Sequence, residues 1–318
     1  AQSMSKESAD PHSNDPYRLL LKNADTALLG LQGLTQNAIL AGDFEQALIL
    51  ARQALAAHPK NYILLRAVYD LEVRNRLWND ALVTLHKAVR RKVIDEAAAT
   101  RDRIAIYLVL GDMAHAAARP SEAQEFFYKA YKLDHGFAPS VVRLVTTLQA
   151  QGSRRKALSI LEKAWKADDH PSYIALWRAL MPPAKSGKAA NAFVWFQSVV
   201  KLHPNSEVGY IALAQAAIDD ELWGDARQAL VDAEKHGQSA AIYKLWITIE
   251  EKTTNRPDVI RQWLDRAYNA PKGGAWVCPK TGRSFDDWQA IIEPEGVFNT
   301  LAWNTVSGAT SAPKLSLE

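Results

Sequence analysis

Residues 107–130 read YLVLGDMAHAAARPSEAQEFFYKA, and this stretch decides the fold. Its first half is apolar at helical spacing, and it is followed by the breaker Ala118-Arg119-Pro120-Ser121. Proline and serine in such a breaker end one helix and start the next. The second half places Ala123, Phe127 and Ala130 at intervals of four and three residues, which puts them on one face of a helix. The stretch therefore predicts two helices joined by a short turn.

The same pattern recurs along the chain with a nearly constant period. The repeat position that Ala123 occupies, called a slot below, is occupied in the successive units by Ala47, Ala81, Ala123, Ala157, Ala192, Ala226 and Ile260. These residues are 34, 42, 34, 35, 34 and 34 positions apart. An apolar residue follows each slot after four positions, and an alanine usually follows after seven. Such a period near 34 residues indicates one structural unit copied in series. The 42-residue step predicts a lengthened helix end or loop near Arg91–Thr100.

Small side chains in these slots have a physical reason. Two antiparallel helices approach closely where they cross, and a small residue at the crossing permits this approach. Leucine in place of Ala157 or Ala226 should overpack the crossing, at a cost of about 1–3 kcal/mol.

These residues resemble the tetratricopeptide repeat. The positions that match it best are Tyr107, Leu110, Gly111, Ala123, Phe127 and Ala130, and a second set is Leu31, Leu34, Ala47, Ala54 and Pro59. The resemblance implies an all-α fold, a right-handed α-solenoid of about seven tetratricopeptide-like helix pairs with an irregular Trp-rich C-terminal cap.

Composition divides the chain into four segments. We expect a disordered N-terminal segment at 1–16, a repeat solenoid at 17–270, an irregular capping segment at 271–304 and a disordered tail at 305–318. An open solenoid must cover the apolar end of its last repeat. Trp276, Trp288 and Trp303 are expected to serve that purpose.

The terminal segment also carries a more specific resemblance. It looks like the close of bacterial HemY-type tetratricopeptide proteins in the stretches Ala275-Trp276-Val277, Asp287-Trp288, Glu293-Pro294-Glu295-Gly296 and Phe298-Asn299-Thr300-Leu301-Ala302-Trp303. The stretch Leu29-Gly30-Leu31-Gln32-Gly33-Leu34, followed by Ala41-Gly42-Asp43, resembles their opening. The resemblance covers residues 25–304.

That resemblance implies a parent protein with N-terminal transmembrane helices and a cytosolic repeat domain at the bacterial inner membrane. The family is associated with late protoporphyrin and haem biosynthesis. The implied role is a non-enzymatic scaffold, whose partners are other proteins, in particular membrane-associated tetrapyrrole enzymes. No cofactor is implied.

Bulk properties narrow the function classes. The formal net charge is +3, with both signs interspersed, so no nucleic-acid partner is indicated. No run of 18 apolar residues occurs, and the polar start is no signal peptide. The chain starts at Ala1 without methionine, so we expect a fragment of a longer protein. The resemblance to HemY-type proteins implies that this fragment is soluble and cytoplasmic, and that the membrane anchor lies upstream of it. A single cysteine fits a reducing compartment.

First helices line the groove in tetratricopeptide folds, which predicts a partner-binding groove in this chain. The residues expected to face it are Gln32, Gln36, Tyr62, Arg66, Asp70, Asp112, Thr146, Trp177, Gln215, Lys244 and Thr248. This set lacks the repeated Lys/Asn pattern that clamps a C-terminal carboxylate, so that ligand class is not predicted.

Residues with chemical potential are few. Turn and capping roles suit the histidines at the unit boundaries, which are His58, His135, His170 and His203. His115 could face the groove. Cys278 has no second cysteine, so no zinc site is expected. No phosphate loop, nucleophile elbow or dinucleotide fingerprint occurs, and we predict no catalytic residues.

Two other functions stay open. The chain could be a porphyrin or haem carrier, for which a Soret shift abolished by Cys278→Ala or His115→Ala would be diagnostic. It could also be a generic repeat adaptor in envelope assembly. The sequence leaves the partner and the oligomeric state open.

Overall fold

The computed structural model is built almost entirely from paired helices. It describes residues 15–183 and 192–304, apart from 24, 272 and 295. Disorder is expected at 1–16 and 305–318; residues 1–14 and 305–318 lie outside the described part of the chain, whereas Asp15 and Pro16 belong to a helix, contrary to the prediction. A short first helix, α1 (Asp15–Leu20), precedes seven helix pairs. The pairs are α2 (Ala27–Leu40) with α3 (Phe44–Ala57), α4 (Tyr62–Arg74) with α5 (Trp78–Arg90), α6 (Glu96–Ala116) with α7 (Pro120–Leu133), α8 (Ala138–Ala150) with α9 (Arg154–Ala167), α10 (Tyr173–Ala179) with α11 (Ala192–Leu202), α12 (Glu207–Asp219) with α13 (Trp223–Glu234), and α14 (Ala240–Thr253) with α15 (Pro257–Asn269).

The chain forms two compact units. The first comprises the chain up to Ile106 together with Ile291–Asn299, and the second comprises Tyr107–Ala290 and the chain from Thr300. The boundary between them falls inside α6. The fold class is therefore the one predicted, an all-α array of tetratricopeptide-like helix pairs.

Most of the alanine ladder is buried at helix crossings, as predicted. Ala47, Ala81, Ala123, Ala157 and Ala226 all have an exposed fraction of 0%. The other two residues of the ladder, Ala192 and Ile260, are only half-buried. In four units the large residue one turn later is buried as well, since Leu85, Leu161, Phe196 and Leu230 are 0% exposed, whereas Leu264 of the last unit is 53% exposed. Where both are buried, the small residue and its large neighbour together fill the crossing.

Side-chain caps and left-handed residues set the helix boundaries. Asp43 accepts a hydrogen bond from the Gln46 amide at 2.9 Å, and Ser206 Oγ accepts one from the Gly209 amide at 2.7 Å. These bonds satisfy amides that the first turn of a helix leaves free. Gly42 adopts a positive φ of 77° in the turn of the first pair, where glycine carries no steric penalty.

The extra residues in the 42-residue step form helix. α6 has 21 residues, whereas α4 and α8, the first helices of the neighbouring pairs, have 13 each. The eight additional residues lengthen the N-terminal end of α6 by about 12 Å at 1.5 Å per residue. Asp102 lies in this extension.

The terminal segment contains short strands where the sequence predicts irregular structure. β1 (Ala275–Val277) pairs antiparallel with both β2 (Ser284–Phe285) and β5 (Ala302–Asn304), in the second unit. β3 (Ile291–Ile292) and β4 (Val297–Phe298) form an antiparallel hairpin in the first unit, in which Ile291 is opposite Phe298. Runs of only two or three residues per strand fall below the length at which alternation is recognisable in sequence.

The capping role expected of this segment does not extend to the last helix. α15 has no buried residue, and Leu264 and Tyr268 are 53% and 89% exposed. The tryptophans of the segment instead contact residues at α8 and before α10. The ring centroids of Trp276 and Trp288 lie 5.9 and 5.5 Å from that of Phe137, and the ring centroid of Trp303 lies 4.1 Å from that of His170.

Candidate protein-interaction surfaces

A concave groove lies in the second unit, on the first helices of successive pairs. We call it the second-unit groove. It encloses about 910 Å³ between the first helices of three consecutive pairs, α10, α12 and α14, and the segment around β1 and β5. Ile174, Val208, Ile211, Leu245 and Trp303 supply apolar lining. The surface thus combines apolar area with access from solvent, as protein-binding clefts do.

Charged residues occupy the rim of this groove. Asp168, Asp169 and Glu207 lie at or just before the N-terminal ends of the first helices. Arg178 and Lys244 lie further along α10 and α14. The rim therefore presents both signs of charge, which can orient a bound segment.

Two of the rim's polar side chains are held by a shared partner. Arg178 contacts Asp219 at 3.3 Å, and Gln215 donates to the same carboxylate at 2.7 Å. Lys244 is exposed to solvent. Because Lys244 does not have to leave a buried site, it is the cation most readily available to a partner.

His170 brings a buried polar group to the groove lining. The residue is 6% exposed and packs against Trp303. Ser172 engages Nδ1, with its Oγ at 2.8 Å and its amide nitrogen at 3.3 Å. Nε2 has no hydrogen-bond partner within the described part of the chain. Burial lowers the pKa of His170, while Asp168 and Asp169 partly oppose this shift, so the ring is neutral at pH 7.

A second polar cluster lies in the first unit, on α4, α6 and the β3–β4 hairpin. Tyr69 Oη donates to Asp102 Oδ2 at 2.8 Å, and Asn299 Nδ2 donates to Asp102 Oδ1 at 2.9 Å. Tyr69 is 2% exposed. Burial and the neighbouring Asp102 carboxylate raise the pKa of Tyr69, so its hydroxyl remains a donor.

The same hairpin makes two further side-chain contacts in the first unit. Arg76 pairs with Glu293 at 2.7 Å, and Phe298 lies 5.9 Å from the ring of the buried Trp78. We call the set Tyr69, Arg76, Trp78 and Asp102 the first-unit face.

Cys278 lies in a tight turn of the terminal segment. Its side chain is buried, and its Sγ lies 3.6 Å from Thr300 Oγ1. Hydrogen bonds from Thr281, and then from Thr300, lower the pKa of the thiol to about 7. Within the described residues, no group of three His, Cys, Asp or Glu side chains is arranged to hold a metal ion.

The predicted groove residues are distributed over both units. Gln215 and Lys244 line the second-unit groove. Thr248 lies one turn further along α14 and donates back to the Lys244 carbonyl at 3.1 Å. Asp112 pairs with Arg143 at 2.9 Å on the next first helix, and Thr146 is exposed on α8.

The other predicted positions lie in the first unit. Tyr62 is 63% exposed, and Arg66 and Asp70 pair with each other at 3.0 Å. Gln36 is exposed, and Gln32 is half-buried, on α2. None of these five residues contributes to the second-unit groove.

Trp177 is a core residue, which corrects its assignment to the groove. It is 2% exposed and packs at 6.4 Å from Trp165 and 5.8 Å from Trp195. Its carbonyl accepts a hydrogen bond from Trp195 Nε1 at 2.9 Å. α10 has only seven residues, so its large aromatic residue fills the core between helices, while Ile174 and Arg178 face the groove.

Sequence reasoning missed His170, Trp303 and the Asp102 cluster. His170 was interpreted only as a unit boundary, and Trp303 only as a cap. Asp102 lies in α6, the helix that accounts for the 42-residue step, and that long step is the signal available in the sequence. Across the described residues, every helix is too short or too polar to span a bilayer.

Comparison with known proteins gives remote similarities. No family model matches the sequence. A curated relative, "Probable magnetosome protein Mms48" of Magnetospirillum gryphiswaldense, is 22% identical over 185 residues, which are 58% of this chain. The matched region is 40% of that relative, so the chain spans about two fifths of its length.

Several solved structures of helical-repeat proteins are also similar. A tetratricopeptide repeat protein from Parabacteroides merdae is 12% identical, with a TM-score of 0.30, and the match covers 80% of this chain and all of that one. YrrB, described as a TPR protein with an unusual peptide-binding site, is 12% identical, with a TM-score of 0.26 and coverages of 72% and 93%. MamA from Desulfovibrio magneticus is 13% identical, with a TM-score of 0.30 and coverages of 52% and 94%. No site is carried over from these structures.

Proposed function

We propose that this protein is a non-enzymatic interaction scaffold that binds a segment of a partner protein in the second-unit groove. The observation that carries the proposal is the groove itself, an apolar channel with a charged rim on the first helices of three successive pairs. Neighbouring helices lie about 10 Å apart, so three of them span about 20 Å. An extended segment of about six residues has this length.

The lining suits a peptide in its chemistry as well as in its length. Ile174, Val208 and Ile211 offer apolar area for one or two partner side chains. Lys244 adds an exposed positive charge to the lining, and it can pair with a carboxylate of the bound segment.

The finer assignment rests on the resemblance of the terminal segment to HemY-type proteins. We propose that the scaffold organises late haem and protoporphyrin biosynthesis at the bacterial inner membrane, with this domain on the cytoplasmic side of an anchored parent. Holding two enzymes on one scaffold raises the effective concentration of each for the other. The partners are then membrane-associated tetrapyrrole enzymes, and the scaffold itself needs no cofactor.

A haem carrier that uses Cys278 finds no support in the geometry. The thiol is buried in its turn and lies beside Thr300, so an iron atom could reach it only after the turn opens. His115 is exposed on α6. An envelope-assembly adaptor would use the same groove and differs only in the identity of its partner.

The proposal is tested by direct binding of purified, detergent-solubilised late haem-pathway enzymes to the full chain at micromolar concentration. Lys244→Glu reverses a groove charge, and Lys252→Glu makes the same change at an exposed position of α14 that is not part of the lining. We expect Lys244→Glu to weaken binding by about 1 kcal/mol, or about fivefold in Kd, and Lys252→Glu to leave it unchanged.

Two results would count against the proposal at different levels. Failure of every haem-pathway enzyme to bind refutes the pathway assignment. Binding that both variants weaken equally, or that neither affects, shows that the second-unit groove is not the partner site.

A further inference from the structure

The second helix of the last pair, α15, exposes an apolar residue whose equivalents are buried in the earlier pairs. In those pairs, the residue four positions after the ladder residue is buried, and these residues are Ala51, Leu85, Phe127, Leu161, Phe196 and Leu230. Their equivalent in α15, Leu264, is 53% exposed. Each earlier second helix is followed by the first helix of another pair, whereas in the described part of the chain only short strands follow α15. Leu264 is therefore left without the helix that follows its equivalents.

The exposed apolar residues of α15 form a ridge. Ile260, Leu264 and Tyr268 follow one another at intervals of four residues, so they lie in one row along the helix. Tyr268 is 89% exposed, and Ile260 is half-buried. Trp263 stacks on Trp246 of α14 with 5.2 Å between the ring centroids, so α14 occupies the neighbouring side of the helix. Because helices pack ridges of this spacing into the grooves of other helices, the ridge is suited to a helix as its occupant.

Two charged residues flank the ridge on the same side. Arg261 directly follows Ile260, and Asp265 directly follows Leu264, so the two charges lie one turn apart beside the row. Both residues are exposed, and among the described residues neither side chain forms an ion pair. This edge is complementary to its own antiparallel copy, which places each arginine opposite an aspartate. A second copy of the chain therefore supplies both an apolar ridge and the matching charges.

We propose that α15 is a dimerisation surface, on which two copies of this chain pack antiparallel about a two-fold axis. The axis passes at the level midway between Arg261 and Asp265, so each Arg261 is level with Asp265 of the second copy. In this register the two Leu264 residues are about 3 Å apart along the helix axis, as are each Tyr268 and Ile260 of the second copy. One register thus satisfies the apolar ridge and both charges, as an isologous interface requires.

The contact involves one helix from each copy, so the dimer is expected to be weak. Such an interface buries less than the about 1,200 Å² at which stable complexes begin, and we expect a Kd of about 10–100 μM. None of the ridge residues lines the second-unit groove. The dimer and the partner binding proposed above can therefore be tested separately.

The charges are tested by sedimentation velocity of the full chain between about 1 μM and 1 mM. Arg261→Glu places like charges against Asp265 in both halves of the interface and should weaken the dimer at least about tenfold in Kd. Lys201→Glu makes the same charge change at an exposed position of α11 and should leave the Kd unchanged. The double variant Arg261→Glu/Asp265→Arg exchanges the two charges and should return the Kd to within about threefold of the wild-type value.

The apolar ridge is tested in the same way. Leu264→Asp should leave the chain monomeric at every concentration, because it removes the central apolar contact and brings two carboxylates together. Leu29→Asp is the matched control, at a residue of α2 that is 57% exposed. Far-UV circular dichroism should show unchanged helix content in all variants, since every substituted residue is exposed.

Three results would overturn the proposal. A wild-type chain that stays monomeric up to about 1 mM has no such interface. Failure of the charge exchange to restore the dimer that Arg261→Glu weakens refutes the antiparallel register. Growth of the mass beyond two copies, or loss of the assembly in Leu29→Asp, shows a head-to-tail contact, which does not close.

Discussion

Replacing Ala118 with glycine is expected to stabilise this protein. Ala118 has a φ of 56° in the turn between α6 and α7. Gly42 and Gly152 adopt the same left-handed conformation, at 77° and 71°, in the turns of their own pairs. The turn needs this conformation because the chain must reverse within three residues, and only glycine adopts it without strain.

The size of the effect follows from two opposing terms. A left-handed backbone costs an alanine about 1–2 kcal/mol, and glycine removes that cost. Glycine loses about 0.5–1 kcal/mol more conformational entropy on folding than alanine does. Ala118 is exposed, so no packing is lost with its methyl group. The net gain in the free energy of unfolding is therefore about 0.5–1 kcal/mol.

Urea denaturation of the full chain, followed by far-UV circular dichroism, measures this gain as a higher midpoint at unchanged slope. Ala116→Gly is the control, because Ala116 is an exposed residue in the last turn of α6. There glycine should lower the free energy of unfolding by about 0.5–1 kcal/mol. If Ala118→Gly lowers the midpoint as Ala116→Gly does, the reasoning from backbone strain fails.

Three further predictions concern the core and its pH dependence. Ala157→Leu should lower the free energy of unfolding by about 1–3 kcal/mol in the same urea assay, whereas Ala150→Leu at an exposed helix end should change it by less than about 0.5 kcal/mol. Trp177→Ala should lower the free energy of unfolding, measured by calorimetry, by about 3–5 kcal/mol. If the variant instead keeps wild-type stability and loses partner binding, Trp177 is a groove residue and not a core residue. Burial lowers the pKa of His170, so the unfolded chain takes up a proton before the folded chain as pH falls below about 6.5, and stability should decline there. The free energy of unfolding of His170→Gln should fall less between pH 7 and pH 5 than that of the wild type. If the two proteins lose stability equally over this range, His170 is not the cause of the pH dependence.

The repeat period was readable from sequence because it reflects a local constraint that every unit repeats. A helix crossing needs a small residue and a large apolar residue one turn later. The spacing of Ala123 and Phe127, and of Ala157 and Leu161, is therefore enough to mark the crossings in the sequence. The seven pairs, the breakers and the lengthened α6 follow from that constraint without any knowledge of distant contacts. The turn between α6 and α7 has Ala118 where other turns have glycine, and its position still follows from the spacing of the neighbouring units.

Tertiary structure alone decided which face of each helix is free and where the terminal segment lies. Trp177 occupies a first-helix position that predicts exposure, yet the rings of Trp165 and Trp195 enclose it. Asn299 meets Asp102 across 197 residues of sequence, a pairing that no local pattern encodes. Periodicity describes how a segment packs against its neighbours in the chain, because those contacts recur at fixed spacing. Contacts made once, between segments far apart in sequence, depend on the whole fold, as the pairing of Asn299 with Asp102 does.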